Sequence, residues 1–199
     1  MQNRRVLSIS NRRPGPTPPS GSPIPVKIRR LVPADAPRYR ALRLRALHEH
    51  PEAFTSSFEE ENERPAADAE LRLAGTSATT IWGAFGPDGL IGMVGLTPEQ
   101  REKNRHTATL VAMYVTAGCS GRGVGRALLQ TALDAARHAS LGLIRLTVTE
   151  GNVRAQALYV QAGFQRMGLE PDAIRLDGRS WGKEHFFLPL RAAPAARPA

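Results

Sequence analysis

The spacing of apolar residues changes in the middle of the chain, between residues 105 and 138. Residues 109–115 form a run of β-branched and apolar side chains followed by Thr, Ala and Gly, which favours a buried strand over a short helix. From Val124 onward the apolar residues recur at helical spacing, and the helical pattern extends to about His138. These positions are Val124, Leu128, Leu129, Ala132, Leu133 and Ala136. The pattern predicts a strand, a tight turn, a glycine loop and a helix in succession.

Shorter apolar segments on both sides of this unit predict the remaining elements. Strands are expected at residues 26–32, 79–85, 90–96, 143–149, 164–167 and 185–190, and a continuation of the 164–167 segment near Ile174 is left open. Helices are expected after Pro33, at residues 66–73 and at residues 153–162, with Asp35 capping the first of them. Two turn signals, Gly86-Pro87-Asp88-Gly89 and Asp177-Gly178, separate predicted strands. The chain therefore alternates strands and helices without an internal repeat.

Composition limits the protein to one domain with two extensions. We expect the Arg- and Pro-rich residues 1–25 and the tail 192–199 to be disordered, which leaves residues 26–191 as the folded domain. A start site placed too far upstream and a transit peptide are the alternatives for the first segment. No run of 18 apolar residues is present, so no membrane span is expected. Cys119 is the single cysteine, which suits a reducing compartment such as the cytoplasm.

The net charge of +9 suggests nucleic acid as a partner until its distribution is considered. Arginines at the two ends of the chain account for six of the nine excess charges, since the first 25 residues contain no acid. These arginines are Arg4, Arg5, Arg12, Arg13, Arg191 and Arg197. The folded domain itself is only weakly basic, which argues against a nucleic-acid surface on it.

The glycine loop suggests a ligand that carries a pyrophosphate. Gly121, Gly123 and Gly125 precede a helix whose first N–H groups are unpaired, and glycine allows a phosphate to approach the backbone closely. The P-loop pattern is excluded because no Gly-Lys-Ser/Thr follows at the required spacing. The dinucleotide pattern G-x-G-x-x-G is also excluded, because Arg126 stands where the third glycine belongs.

Residues 120–125, Ser-Gly-Arg-Gly-Val-Gly, resemble the pyrophosphate loop of the GCN5-related N-acetyltransferase (GNAT) family, Gln/Arg-x-x-Gly-x-Gly/Ala. Ser120 departs from the family's Gln or Arg and removes one side-chain contact. The flanking residues 113–115 and 126–129 are also similar to the family. The resemblance implies acetyl-CoA as the cofactor. It would be bound by Met113, Tyr114, Val115, Ser120, Gly121, Arg122, Gly123, Val124, Gly125, Arg126, Asn152 and Tyr159.

A second set of residues shares one face of the last predicted helix. Asn152, Ala155 and Tyr159 are spaced i, i+3 and i+7 and are followed by Gly163-Phe164. Taken alone, Asn152 is an N-cap and Tyr159 a core residue. The set resembles the second GNAT signature, which implies that Tyr159 protonates the CoA thiolate and that Asn152 holds the pantetheine.

The sequence offers two candidates for the general base and three for the acceptor pocket. Glu150, at a strand end, is the first candidate for the general base, directly or through water, and His106 is the second. Residues 41–54 resemble the N-terminal helices that cover the acceptor site in many bacterial GNAT proteins. Phe54, Ser57 and Phe58 are the predicted acceptor-binding residues, and no metal site is expected.

The resemblance implies an α/β fold with a mixed, mostly antiparallel sheet of six to seven strands and helices on both faces. The implied activity is transfer of the acetyl group to a primary amine of a small molecule or peptide by direct attack, with no covalent enzyme intermediate. A non-catalytic acyl-CoA-binding regulatory module and a nucleic-acid binder that uses the basic ends are the alternatives. Homodimers are common among similar proteins, so a homodimer stays open.

Overall fold

A computed structural model describes residues 25–190 of the protein. Residues 1–25 and 192–199 are predicted to be disordered. Except for residue 25, they lie outside the described residues. The strands are β1 Lys27–Arg30, β2 Thr80–Gly86, β3 Gly89–Pro98, β4 Thr107–Val115, β5 Leu143–Thr149, β6 Gln165–Leu176 and β7 Arg179–Pro189. The helices are α1 Ala36–Glu49, α2 Phe58–Glu63, α3 Ala66–Leu73, α4 Val124–His138 and α5 Val153–Gln161.

All seven described strands form one sheet in the order β1-β2-β3-β4-β5-β7-β6. Only the central pair, β4 with β5, is parallel, because α4 connects these two strands as a crossover. Every other neighbouring pair in the described sheet is antiparallel. The sequence prediction of a mixed, mostly antiparallel sheet is confirmed.

Helices cover both faces of this sheet, as predicted. Met93 and Val94 are adjacent on β3 and fully buried, yet their side chains enter different cores because successive strand residues point to opposite faces. Val94 packs in the core that contains the apolar faces of α4 and α5. Met93 packs in the core formed with α1 and α3. The sheet is thus packed between two helical layers.

The last hairpin is longer than the sequence pattern indicates. The apolar segments 164–167 and 185–190 are parts of β6 and β7, which turn at the predicted Asp177-Gly178. Most of β6 is exposed, and the strand lies at the edge of the sheet, so no regular alternation of buried and exposed apolar residues marks its full length. Within the described residues, no helix is long and apolar enough to span a bilayer.

The entry to α1 is held by an ion pair between the buried Asp35 and the partly exposed Arg29. Asp35 occupies the N-cap position, but its carboxylate does not cap the helix; it accepts hydrogen bonds from Arg29 at 2.6 and 2.7 Å and from the backbone N–H of Val32 at 3.0 Å. The predicted cap is therefore corrected to a link between α1 and β1. The hydrogen bonds from Arg29 hold the pKa of Asp35 below its ordinary value.

Asp35→Asn is expected to lower the free energy of unfolding by about 1–3 kcal/mol, because the guanidinium of Arg29 loses a charged acceptor at a buried site. The pKa of Asp35 is lower in the folded than in the unfolded chain, so this stabilisation is present above the ordinary aspartate pKa. It is lost as the pH falls through the lower, folded-state pKa. Urea unfolding of both proteins between pH 2 and 7 measures the effect. A difference that did not shrink on acidification would contradict the assignment.

Candidate functional site

The central strands β4 and β5 separate after a short paired stretch. They pair only over residues 107–109 and 143–145. Further along, the register of β4 against β3 shifts between Met93 and Gly95, and Ala112 adopts a left-handed backbone with φ of 54°. One extra residue in β4 forms a bulge that turns the strand away from β5. The edge of β4 from residue 110 to 115 thus presents backbone groups that have no strand partner on that side.

Glycine on the neighbouring strand permits this bulge. A Cβ atom at Gly95 would lie 2.8 Å from Cγ2 of Val111, closer than packed carbons approach. The left-handed conformation of Ala112 costs about 1–2 kcal/mol in backbone strain. The bulge is therefore imposed by the packing of β3 against β4 and not by the local preference of alanine.

Two cavities open along the separated strands. The first, of about 440 Å³, is lined by β4 residues 109–113, by β5 residues 147–149 and by side chains from α1, α3 and α5. The second, of about 560 Å³, is lined by the end of β4, the glycine loop and α5. They share Ala53, Phe54, Met113, Asn152 and Ala155. The two cavities consequently form one cleft through the sheet.

The glycine loop forms one wall of the second cavity. Gly121 and Gly123 have positive φ values of 80° and 83°, and Gly123 is the N-cap of α4. The predicted residues Ser120, Gly121, Gly123, Gly125 and Arg126 line this cavity. The first N–H groups of α4 therefore face a site suited to an anion.

Two of the predicted loop residues do not line the second cavity, and one cation that does line it was not predicted from the sequence. Val124 is buried in the core beneath α4, and Arg122 is not among the lining residues. Arg154 lines the second cavity, and its guanidinium would lie 3.2 Å from a Cβ at Gly121. No sequence motif pointed to Arg154, although it follows the predicted N-cap Asn152 by two positions on α5.

Tyr159 and Asn152 occupy the other wall of the cleft. Oδ1 of Asn152 accepts a hydrogen bond from the N–H of Ala155 at 3.1 Å and so caps α5. Tyr159 is 5% exposed, lines the first cavity, and packs its ring edge-on against Phe164 at 5.6 Å. Its hydroxyl makes no hydrogen bond with any described residue, and burial raises the pKa of Tyr159. The phenol thus keeps its proton available to a bound group.

The predicted β4 residues lie where the strand borders the second cavity. Met113, Tyr114 and Val115 line the second cavity. The side chain of Tyr114 extends into the core with α1, where its hydroxyl donates a hydrogen bond to Glu49 at 2.5 Å. These residues therefore present N–H and C=O groups at the free edge of the strand.

The predicted bases lie outside both cavities. Glu150 is exposed, and its N–H donates to the carbonyl of Gly182 at 2.9 Å. His106 is exposed at the paired end of β4, where its carbonyl accepts a hydrogen bond from Gly142 at 2.7 Å. His50 lines the second cavity instead, but its position at the end of α1 gave no sequence signal.

The three predicted acceptor-binding residues differ in whether they line a cavity. Phe54 lines both cavities. Ser57 instead caps α2 by accepting the N–H of Glu60 at 3.1 Å, and the ring of Phe58 packs edge-on against His48. Thr55 and Ser56 line the first cavity in their place.

Arg43 and Lys183 also line the first cavity and were missed. Arg43 lies four residues from both Tyr39 and Leu47 and therefore falls on the buried stripe of α1. An arginine within an apolar stripe was the available signal. Among the described residues, no group of three or more His, Cys, Asp or Glu is arranged to hold a metal ion.

Comparison with known proteins identifies the family. The sequence model of the acetyltransferase (GNAT) family matches residues 44–164. An uncharacterized protein of Mycobacterium leprae is 34% identical over 170 residues, which cover 83% of this chain and 42% of that protein. A mycothiol acetyltransferase of Thermobispora bispora is 31% identical over 173 residues, which cover 78% of this chain and 52% of the relative. The chain spans about half the length of these curated relatives.

Solved structures agree with this assignment at the level of the fold. A GNAT-family acetyltransferase from Streptococcus pneumoniae superposes with a TM-score of 0.76 at 22% identity, covering 83% of this chain and 99% of the other. The separated strands, the glycine loop and the mixed sheet define an α/β protein of the acetyltransferase type. The chain belongs to the GNAT acetyltransferase family.

Proposed function

We propose that this protein is an N-acetyltransferase that moves the acetyl group of acetyl-CoA to a primary amine of a small molecule or peptide. The observation that supports this proposal is the continuous cleft, which has the glycine loop at one end and a free strand edge in the middle. Family membership supports the same reaction class. The single cysteine, Cys119, supports a place in the cytoplasm.

The residues of the second cavity fit acetyl-CoA. A Cβ at Gly123 would meet nothing within 4 Å, so the loop leaves open space above its N–H groups. The backbone of residues 121–126 would hold the pyrophosphate, with Arg126 and Arg154 supplying positive charge. Asn152 and the β4 edge at residues 112–115 would hold the pantetheine. Bound there, acetyl-CoA supplies a thioester as the acyl donor.

The chain's own groups would carry the remaining chemistry by orientation and electrostatics. N–H groups on the free edge of β4 would polarise the acetyl carbonyl where it faces the bulge. The amine would enter through the first cavity and attack directly. The Tyr159 hydroxyl would donate its proton to the leaving sulfur, for which its raised pKa keeps it protonated.

Removal of the amine's proton would involve water. Among the described residues, those lining the first cavity include no Asp, Glu or His. Glu150 or His106 would therefore act only through intervening water, as would His50 in the second cavity. Lys183, whose pKa burial lowers, is the one ionisable amine among the described residues that line the first cavity.

Acetyl-CoA at about one hundred times its dissociation constant is expected to stabilise the protein by roughly 2.7 kcal/mol, because it binds only the folded state. Thermal unfolding with acetyl-CoA, NAD and ATP measures this, and release of free CoA thiol with a panel of amines measures turnover. Binding without turnover on any amine would favour a non-catalytic acyl-CoA module. No stabilisation of a folded sample would reject the proposed cofactor.

A further inference from the structure

A buried cation without a partner lies in the first cavity. Arg43 is 7% exposed, and its Nε and Nη1 atoms are fully buried with no hydrogen-bond partner among the described residues. Its guanidinium stacks over the ring of Phe54 at 4.7 Å. Since Arg43 lines the cavity, Nη2 is left as the nitrogen that can reach a bound molecule.

The surrounding charges do not neutralise Arg43. Arg72, from α3, lines the same cavity, and its Nη1 donates to the hydroxyl of Tyr39 at 3.3 Å. Burial lowers the pKa of Arg43, and the carboxylate of Glu61 opposes this shift electrostatically. However, Glu61 lies 3.8 Å from Arg72, makes no hydrogen bond with Arg43, and does not line the cavity. Lys183 adds a third cation to the lining, where it donates to Thr55 Oγ1 at 2.7 Å. Arg64 lies beyond Glu61 and is also cationic.

Such an arrangement is costly unless a ligand completes it. An ionised group out of water is stable only when it is paired and hydrogen-bonded. Three cations and no Asp or Glu line the first cavity among the described residues. Stability alone would favour an apolar residue at position 43. A guanidinium kept there without a partner is suited to an anion that arrives with the substrate.

We infer that the acceptor is a small amine that carries a carboxylate, of the free amino acid class, and that Arg43 with Arg72 binds this carboxylate. The inference rests on the proposed function for the fate of the amine, which would lie at the β4 edge while the carboxylate faces α1 and α3. The same cations would repel polyamines and other acceptors that carry additional positive charge. The cavity thereby selects by charge at the end remote from the reacting atoms.

The first test compares acceptors on the unaltered protein. Each of a set of amino acids is paired with its own carboxamide, which has the same amine and side chain but no anion; spermidine and cadaverine serve as cationic acceptors. We expect kcat/KM for the acid to exceed that for the amide by roughly 30-fold or more, the range typical of a buried charge pair. Equal use of acids and amides, or a preference for polyamines, would overturn the inference and leave the proposed function standing.

The second test uses Arg43→Met, which keeps an unbranched side chain over the first part of its length and removes the charge. It is expected to lower kcat/KM for the preferred acid roughly 30-fold or more and to erase the difference between acid and amide. Arg38→Met, an exposed position on the same helix, is the matched control and should change neither. The melting temperature of Arg43→Met should equal or exceed that of the native protein, because removal of the unpaired buried charge offsets the lost stacking on Phe54 and no hydrogen bond is lost.

Direct binding separates this inference from the proposed reaction. Calorimetry with amino acids and their carboxamides, on protein loaded with CoA, reports the carboxylate subsite even if no turnover occurs. If no amine is turned over, binding of acids that Arg43→Met abolishes would keep the subsite while the missing turnover rejects acetyl transfer. A loss of acetyl-CoA affinity in Arg43→Met would assign the cation to the cofactor and overturn the inference. If Arg43→Met does not fold, Arg72→Met and the acid and amide pairs decide the question.

Discussion

Glutamate in place of Gly123 is expected to abolish acetyl-CoA binding while the protein stays folded. The N–H groups behind Gly123 are the positive end of α4, and a carboxylate there repels the pyrophosphate and occupies its space. The roughly 2.7 kcal/mol of ligand stabilisation should disappear at a concentration that is saturating for the native protein. Thermal unfolding with and without acetyl-CoA measures the loss.

Strain must be separated from charge in this test. Gly123 has φ of 83°, so any side chain there costs about 1–2 kcal/mol of stability on its own. Gly178→Glu is the matched control: it also has positive φ, 73°, and open space around its Cβ, but lies in the β6–β7 turn. It should lose similar stability and keep the response to acetyl-CoA. A full response in Gly123→Glu would remove the pyrophosphate from this loop.

The elements around the glycine loop were predictable because their signals are local. The change from a β-branched run to helical spacing marks β4 and α4, and both form where predicted. The exposed part of β6 was not predictable from the sequence, because an edge strand that buries few side chains shows no hydrophobic periodicity. The bulge at Ala112 was beyond sequence reasoning, since it arises from the close approach of Gly95 to Val111 across the sheet.

The site was predictable only in its cofactor half. The glycine loop and the α5 residues are contiguous patterns, so their motifs identify residues that the fold brings to one cleft. The first cavity is assembled from α1, α3, β4 and β5, which are distant in sequence. Each of these contributes a side chain that is ordinary in its own segment. Arg43 becomes unusual only when its burial and its lack of a partner are known.

Tyr159→Phe is expected to reduce kcat roughly 100-fold to 10,000-fold, the contribution of a positioned general acid, and to leave acetyl-CoA affinity unchanged. Stability should change little, because the Tyr159 hydroxyl forms no hydrogen bond within the described residues and the ring contact with Phe164 is kept. Thr107→Val is the contrasting control. Its buried hydroxyl donates to the carbonyl of Asn104 at 3.0 Å and lies outside both cavities, so this variant should lose stability and keep kcat.

The pH profile gives the same assignment an independent test. Burial raises the pKa of Tyr159, so its folded-state pKa lies above the ordinary value near 10. The hydroxyl is therefore protonated throughout the neutral and moderately alkaline range, and its ionisation should cause no loss of kcat below about pH 10. Activity should instead rise as the amine loses its proton. Unchanged kcat in Tyr159→Phe would assign the proton to another group. A loss of activity between pH 7 and 9 that the native protein shows and Tyr159→Phe lacks would contradict the raised pKa of Tyr159.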